Sequence, residues 1–215
     1  MRVVAFPDPA VPIATCEASD CAKCSVAHSI HCHCRPADLV HFYLVCIPAF
    51  LVGGAGVLAV GLIPLLIWIG IIIGFFGFVE IRVMCSHCPH YAEEGATLRC
   101  WANYGSPKLW KYRPGPMSTA ENVVFFGGFV VVWGYPLGFF VVGGLWYLLG
   151  LYVLLTAGFF VTLKRSFCSR CMNFACPLNG VPDSVRVLFF ERNPSVGRAW
   201  DAGPDMNTEN RTLGR

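Results

Sequence analysis

Two stretches of the chain, residues 39–79 and 122–163, contain no Lys, Arg, Asp or Glu and read as nearly unbroken apolar sequence. A membrane-spanning helix needs about 20 apolar residues, each rising about 1.5 Å. Each stretch is roughly twice that length. As one helix of about 60 Å it would overshoot a hydrocarbon core of about 30 Å. Each stretch must therefore fold back on itself. The expected fold class is all-α integral membrane: four transmembrane helices as two tandem, duplicated helical hairpins, with Cys-rich cytoplasmic loops.

The turns can be placed. Gly61-Leu62-Ile63-Pro64 lies near the middle of the first stretch, and Pro64 suits the first turn of a new helix. Gly143-Gly144 lies at the middle of the second. Pro136 then falls inside the third helix, which a membrane helix tolerates where neighbours satisfy the freed carbonyl. A turn across residues 134–138 is the less balanced alternative. The many glycines within the stretches (Gly53, Gly54, Gly56, Gly70, Gly74, Gly77, Gly127, Gly128, Gly150) are expected to let helices pack closely, within one bundle or a homo-oligomer.

Both stretches end alike. The first is followed by Glu80, Arg82 and Cys85-Ser86-His87-Cys88; the second by Lys164, Arg165 and Cys168-Ser169-Arg170-Cys171. A pattern recurring at this level points to one module used twice. The chain divides accordingly into a Cys/His-rich N-terminal segment (1–38), hairpin 1 (39–84), a Cys-containing loop (85–121), hairpin 2 (122–164), a second Cys motif with an interfacial helix (165–192), and a disordered tail (193–215). Asp38 is placed to cap the first helix. Ser118-Thr119-Ala120-Glu121 has the form of a capping box opening the third. Residues 183–192 suit a helix lying on the membrane, with Val185, Leu188 and Phe189 facing down and Arg186, Glu191 and Arg192 facing up. The tail is polar, and its sequon at Asn210 is irrelevant in a cytoplasm.

Charge gives an orientation. Charged residues make up 13% of the chain, against about 25% in soluble domains. All sixteen Lys and Arg lie outside the two stretches, and none falls at a hairpin tip. Basic flanks mark the cytoplasmic side, and an even number of spans puts both termini there. Residues 1–12 have no apolar core before Pro7-Asp8-Pro9, so no cleavable leader is expected. The net charge of +3 fits topology and anionic headgroups, not a nucleic-acid footprint. The expected partners are the lipid bilayer and a soluble or membrane protein; nucleic acid is not among them.

Eleven of the twelve cysteines fall on the basic side, and only Cys46 lies within a predicted helix, as a small apolar residue. Thiols facing a reducing compartment are poor disulfide candidates; at C-x-x-C spacing they suit metal or redox chemistry. The candidate metal ligands are Cys85, Cys88 and Cys100; Cys168, Cys171 and Cys176; and, from the N-terminal group that also holds Cys16, the four residues Cys21, Cys24, Cys32 and Cys34. In one grouping the two C-x-x-C pairs meet as a four-thiolate site. In another, each three-cysteine set recruits a fourth ligand from the N-terminal group. Thiolates are soft ligands, so the cofactor expected is an iron–sulfur cluster or zinc. The run Cys168-x2-Cys171-x4-Cys176-Pro177 ends in the Cys-Pro pair of bacterial ferredoxin motifs, which tilts toward iron–sulfur.

The histidines add less. His87 and His90 are expected to be mostly solvated. His41 is the only histidine in an apolar block, so paired axial haem ligands are absent, and no Cys-x-x-Cys-His occurs for c-type haem. Residues 105–113 mix bases with aromatics, as a headgroup-level or docking segment does. No carboxylate is expected within the helices, which removes support for a proton relay or cation path. No Walker loop, dinucleotide fingerprint, nucleophile elbow or zinc-protease motif is present. The function expected is membrane-associated electron transfer or a role as a redox-complex subunit. A zinc-stapled scaffold, or a thiol redox or soft-metal handling protein, is the alternative.

Overall fold

The structure, a computed structural model, describes residues 8–21 and 24–203. The sequon at Asn210, the end of the tail and the first seven residues of the lead lie outside that range. The described residues are all-helical, with no strand beyond isolated bridges at His31–Cys171 and Thr97–Pro107. Four helices are long and apolar enough to cross a membrane: α1 (Pro36–Val60), α2 (Leu62–His87), α3 (Thr119–Val142) and α4 (Trp146–Arg170). Two short helices follow, α5 (Asp183–Arg192) and α6 (Pro194–Asp201).

The turns fall where the glycines predict, at Gly61 and after Gly143; Gly144 takes a left-handed φ of 65° that a side chain would strain. The two tips meet, since a Cβ on Gly143 would lie 3.2 Å from Val60. At its start, α3 has the expected capping box: Ser118 Oγ accepts from the Glu121 amide at 3.3 Å, and Glu121 Oε2 accepts from the Ser118 amide at 3.0 Å. Asp38 is not the cap of α1. That helix begins a turn earlier with Pro36 at its first position, where the missing N–H costs nothing, and Asp38 reaches back to accept from the Arg35 amide at 3.1 Å.

Within the bundle, α1 packs on α4, α3 and α2, while α3 also touches α2 and α4. Aromatic rings fill the middle: Phe50 lies 4.8 Å from Trp133, which stacks on Phe159 at 5.2 Å. Large apolar side chains such as Leu44, Leu51, Ile63, Leu66, Val130 and Leu154 point outward and are exposed, as lipid-facing residues are. Pro136 sits inside α3 and deprives the Val132 carbonyl of its helical donor. The Trp68 indole N–H of α2 donates to that carbonyl at 2.9 Å, and the Tyr152 hydroxyl of α4 donates to the next one, Trp133 O, at 2.8 Å. The proline gap is thus closed from two neighbouring helices.

Close helix approach is confined to a few glycines. A Cβ on Gly56 would meet the Phe140 ring at 2.1 Å, and one on Gly128 would meet Phe75 at 2.0 Å. Gly70, Gly74, Gly77, Gly127 and Gly150 have open space beside them, so they make no close approach within the bundle.

Several boundaries differ from those expected. Toward their ends α2 and α4 each include a π turn, Phe75–Val79 and Leu163–Phe167, then finish in a 3-10 turn, Cys85–His87 and Cys168–Arg170. Cys85 and Cys168 therefore lie in the last turns of the helices, not beyond them. Glu80 lies within α2, so a carboxylate is present in the bundle after all. The tail is not disordered from Asn193. It forms α6, because the buried Asn193 side chain ties the α5–α6 junction, donating to Phe189 O at 2.8 Å and accepting from Thr15 Oγ1 at 2.8 Å. Nor does α5 present Val185, Leu188 and Phe189 as one face: Phe189 is fully buried against Phe174, and Leu188 is exposed beside Val187.

Two outcomes follow for stability in detergent. Trp68→Phe orphans the Val132 carbonyl and costs about 1–2 kcal/mol of unfolding free energy; in a Pro136→Ala background, where an amide N–H returns, that cost falls toward zero in the double-mutant cycle. Gly56→Ala and Gly128→Ala force rigid, buried rings aside and cost about 1–3 kcal/mol each, while Gly70→Ala is neutral or stabilising by thermal melting.

Candidate thiolate site

The hairpins bring both C-x-x-C turns to one end of the bundle, opposite the glycine tips. The turns are built alike. The Cys88 amide donates to Cys85 O at 2.9 Å, and the Cys171 amide to Cys168 O at 3.4 Å. Ser86 Oγ donates to Arg82 O and Ser169 Oγ to Arg165 O, each at 2.7 Å. Between α1, α2, α3 and α4 lies a cavity of about 270 Å3, and all six cysteines of the two sets line it: Cys85, Cys88, Cys100, Cys168, Cys171 and Cys176. The sets are interleaved, for Cys171 lies within electrostatic reach of Cys88 and Cys176, and Cys85 of Cys100 and Cys176. Cys46, expected as plain filling, belongs to the wall of the same cavity, with Phe42 and Phe50.

Backbone amides are turned toward the sulfurs. The His90 amide favours the thiolate of Cys88 and the Asn173 amide that of Cys171. Cys100 accepts from the Asn103 amide, the Ala102 amide also favours its thiolate, and the Leu178 and Asn179 amides favour that of Cys176. A neutral thiol is a weak acceptor, whereas a thiolate gains from every such N–H. Burial works the other way. It pushes the Cys100 thiol up to about 11 and Cys176 to about 12, with their amide donors opposing the rise, and it raises Cys88 and Cys171 as well. A cation beside these groups would offset the rise by supplying the missing charge. Among the described residues, no three His, Cys, Asp or Glu side chains stand together at the spacing of a single-ion site. The six thiols ring a cavity and do not close on a point.

Three polar residues brace the thiols, and sequence reasoning passed over all of them. Buried Glu80 accepts from Asn103 Nδ2 at 3.3 Å; the same amide group donates to Cys85 Sγ at 3.3 Å, and the Asn103 backbone donates to Cys100 Sγ at 3.3 Å. On the other side, Asn179 Nδ2 donates to Cys171 O at 2.6 Å and Asn173 O at 3.0 Å. A signal for the asparagines was available: Cys100 and Cys176 are each followed three residues later by Asn. Nothing in the pattern marked Glu80, which sits at the edge of the first apolar stretch.

The histidines are not solvated, as was expected. His87 is buried, with Nδ1 3.1 Å from Gly115 O and Nε2 3.5 Å from Glu121. His90 is also buried and lines the cavity; burial, then the charges of His33 and Lys108, hold it down at about 3, so it stays neutral in any physiological medium. Glu121 gathers more than His87. Arg113 reaches it at 2.6 Å and Arg82 at 3.6 Å, and Arg113 also donates to Arg82 O at 2.7 Å. This network clamps residues 105–117 against the ends of α2 and α3. The Trp110 amide, donating to the Tyr91 hydroxyl at 2.8 Å, adds to the clamp.

The N-terminal cysteines do not act as one group. Cys21, Cys24 and Cys32, with Cys16, line a separate cavity of about 130 Å3. Cys34 stands apart: it is buried, its thiol donates to Arg35 O at 3.6 Å, and it feels Cys100 of the larger set. His31 lines both cavities, and its amide donates to Arg170 O at 2.8 Å. No protein-family model, curated protein or solved structure matches the chain.

Removing the hub of the clamp tests its weight. Glu121→Ala leaves Arg113 and Arg82 facing each other with little water, a change that costs about 1–3 kcal/mol once partial exposure is allowed for. The expected result is faster tryptic cleavage at exposed Lys111, with the Arg82→Ala, Glu121→Ala double variant recovering part of the protection.

Proposed function

We propose that this is a polytopic membrane protein built from two copies of one hairpin module. It holds a thiolate-ligated metal centre at the cytoplasmic face and passes electrons there, alone or as a subunit of a redox complex. The observation that carries the reading is the convergence of six cysteines on one cavity, with backbone amides directed at the sulfurs. Amides aimed at sulfur stabilise thiolate and tune the potential of iron–sulfur centres. The like construction of the two C-x-x-C turns supports duplication. The placement of every Lys and Arg outside the apolar stretches supports the cytoplasmic orientation. Cys85, Cys88, Cys168 and Cys171 are the main ligands, with Cys100 and Cys176 beside them.

Iron–sulfur suits this site better than zinc. Structural zinc takes four ligands in a closed tetrahedron. Here six thiols open onto a cavity walled by Phe50, Phe76, Phe129 and Trp133, which a zinc staple does not need. A polynuclear centre with an apolar flank in the membrane does use such a space, and that flank is where a lipid-soluble electron acceptor or a partner subunit would approach.

Elemental analysis with an absorption spectrum, on protein purified without oxygen, tests the reading. Iron with acid-labile sulfide and broad visible absorption is the expected result. Cys85→Ser and Cys168→Ser should each remove most of that absorption; unchanged spectra in both overturn the ligand assignment. Zinc alone replaces the reading with a scaffold for partner proteins. Metal-free protein with reactive thiols replaces it with thiol redox or soft-metal handling. Labelling of Lys111 from one side of sealed, oriented vesicles decides the topology.

A further inference from the structure

Of the five cysteines outside the six-cysteine cavity, four line a cavity of their own. Cys16, Cys21, Cys24 and Cys32 wall the second cavity, of about 130 Å3. They are electrostatic neighbours: Cys32, raised to about 12 first by burial, also feels Cys24, Cys16 and Cys21, and Cys21 feels Cys16 and Cys24. Tight turns hold them, with the Cys16 amide donating to Ile13 O at 2.8 Å, Cys24 to Cys21 O at 3.2 Å and Cys32 to Ile30 O at 3.1 Å.

The segment is fixed to the rest of the protein. The Ala14 amide donates to Glu93 Oε1 at 2.8 Å, and the Glu17 amide to Arg192 O at 2.9 Å. A chain tied down at these points keeps its four thiols around one cavity; as at the larger site, they ring the space and no three close on a point. The spacing adds a second, independent argument. Cys16-x4-Cys21-x2-Cys24, with Cys32 as fourth, has the form C-x4-C-x2-C…C by which plant-type ferredoxins ligate a two-iron, two-sulfide cluster.

We infer that Cys16, Cys21, Cys24 and Cys32 ligate a second iron–sulfur centre of the 2Fe–2S class, separate from the six-cysteine centre. The inference rests on the iron–sulfur reading above and adds a distinct site to it. Cys34, whose thiol turns to Arg35 O and Cys100, is not a ligand. The second site is the outer one, with Glu17, Ser19 and Asp20 exposed beside it. It is also close to the first, since Cys16 and Cys32 pack on the apolar cluster that contains Cys88 and Met172. That order, solvent to outer centre to inner centre to membrane, makes the N-terminal site the point where a soluble partner delivers or collects an electron.

The test uses full-length protein purified anaerobically in detergent, with iron and sulfide counts and electron paramagnetic resonance after dithionite reduction. Cys16→Ser and Cys32→Ser should each lose about two iron and two sulfide per chain together with one resonance signal, while keeping the other signal; Cys34→Ser should keep both. If those two variants retain the wild-type iron, if zinc occupies the site, or if Cys34→Ser loses what Cys16→Ser loses, the inference is overturned. Should a variant misfold and lose everything, the wild-type spectrum decides: two distinct signals support two centres and one signal overturns them. Wild-type protein free of iron would sink the proposed function as well. Iron that is present but responds only to Cys85 and Cys168 sinks this inference alone.

Discussion

The mismatch between chain and bilayer governs everything else in this molecule. An apolar stretch roughly twice as long as the hydrocarbon is thick cannot be crossed once, and it cannot stop midway, because unpaired backbone groups in lipid cost several kcal/mol each. It must turn at its centre and come back. Two such stretches in one chain return both of their C-x-x-C sequences to the same end of the bundle. The meeting of six cysteines is a consequence of helix length before it is a consequence of sulfur chemistry. The same constraint explains the treatment of Pro136: with no water to cap Val132 O, an indole from α2 has to do it.

At the thiol end two demands pull against each other. Burial disfavours the thiolate, and the backbone amides around Cys88, Cys100, Cys171 and Cys176 favour it. A protein that wanted inert, neutral thiols would not turn amides toward them; one that wanted free thiolates would not bury them. Both features make sense together if a cation or cluster balances the charge. The Glu121 network belongs to the same logic. By pinning residues 105–117 to the helix ends, it fixes the segment just beyond Cys100 and Asn103, and a cavity rimmed by loops becomes a wall with settled positions.

The helices were legible in the sequence because their signals are local and strong: charge-free length, Gly61 and Gly143 at the midpoints, a capping box at Ser118. What was illegible depends on three-dimensional phase. The π turns in α2 and α4 re-phase the residues beyond them, and hydropathy carries no mark of that shift. Glu80 looked like the polar edge of a membrane stretch, yet it became a buried neighbour of Cys85 and Cys100 because the helix continues past it. The buried state of His87 and His90 follows from loop docking that no short-range pattern encodes. Asn193 was lost for the same reason: a polar residue at the start of a polar tail reads as disorder unless its partners, Thr15 and Phe189, are known.

The N-terminal segment shows how a regrouping changes chemistry. Counted along the chain, Cys16 to Cys34 form one five-membered cluster, and any of them is a plausible donor to the helix-end set. Folded, the segment divides after His33: four thiols line a cavity of their own, while buried Cys34 lines neither cavity and donates to Arg35 O. His31 is the seam: it lines both cavities and is bridged to Cys171 of the second C-x-x-C turn. The two thiol sets share the apolar cluster in which Cys16, Cys32, Cys88 and Met172 meet, and on the proposed reading they act in series. The outer set lies beside exposed Glu17, Ser19 and Asp20, and the inner set opens onto the aromatic rings in the middle of the bundle. That ordering is what the proposed passage of electrons between water and membrane requires, and a scaffold with stapled loops would not call for it.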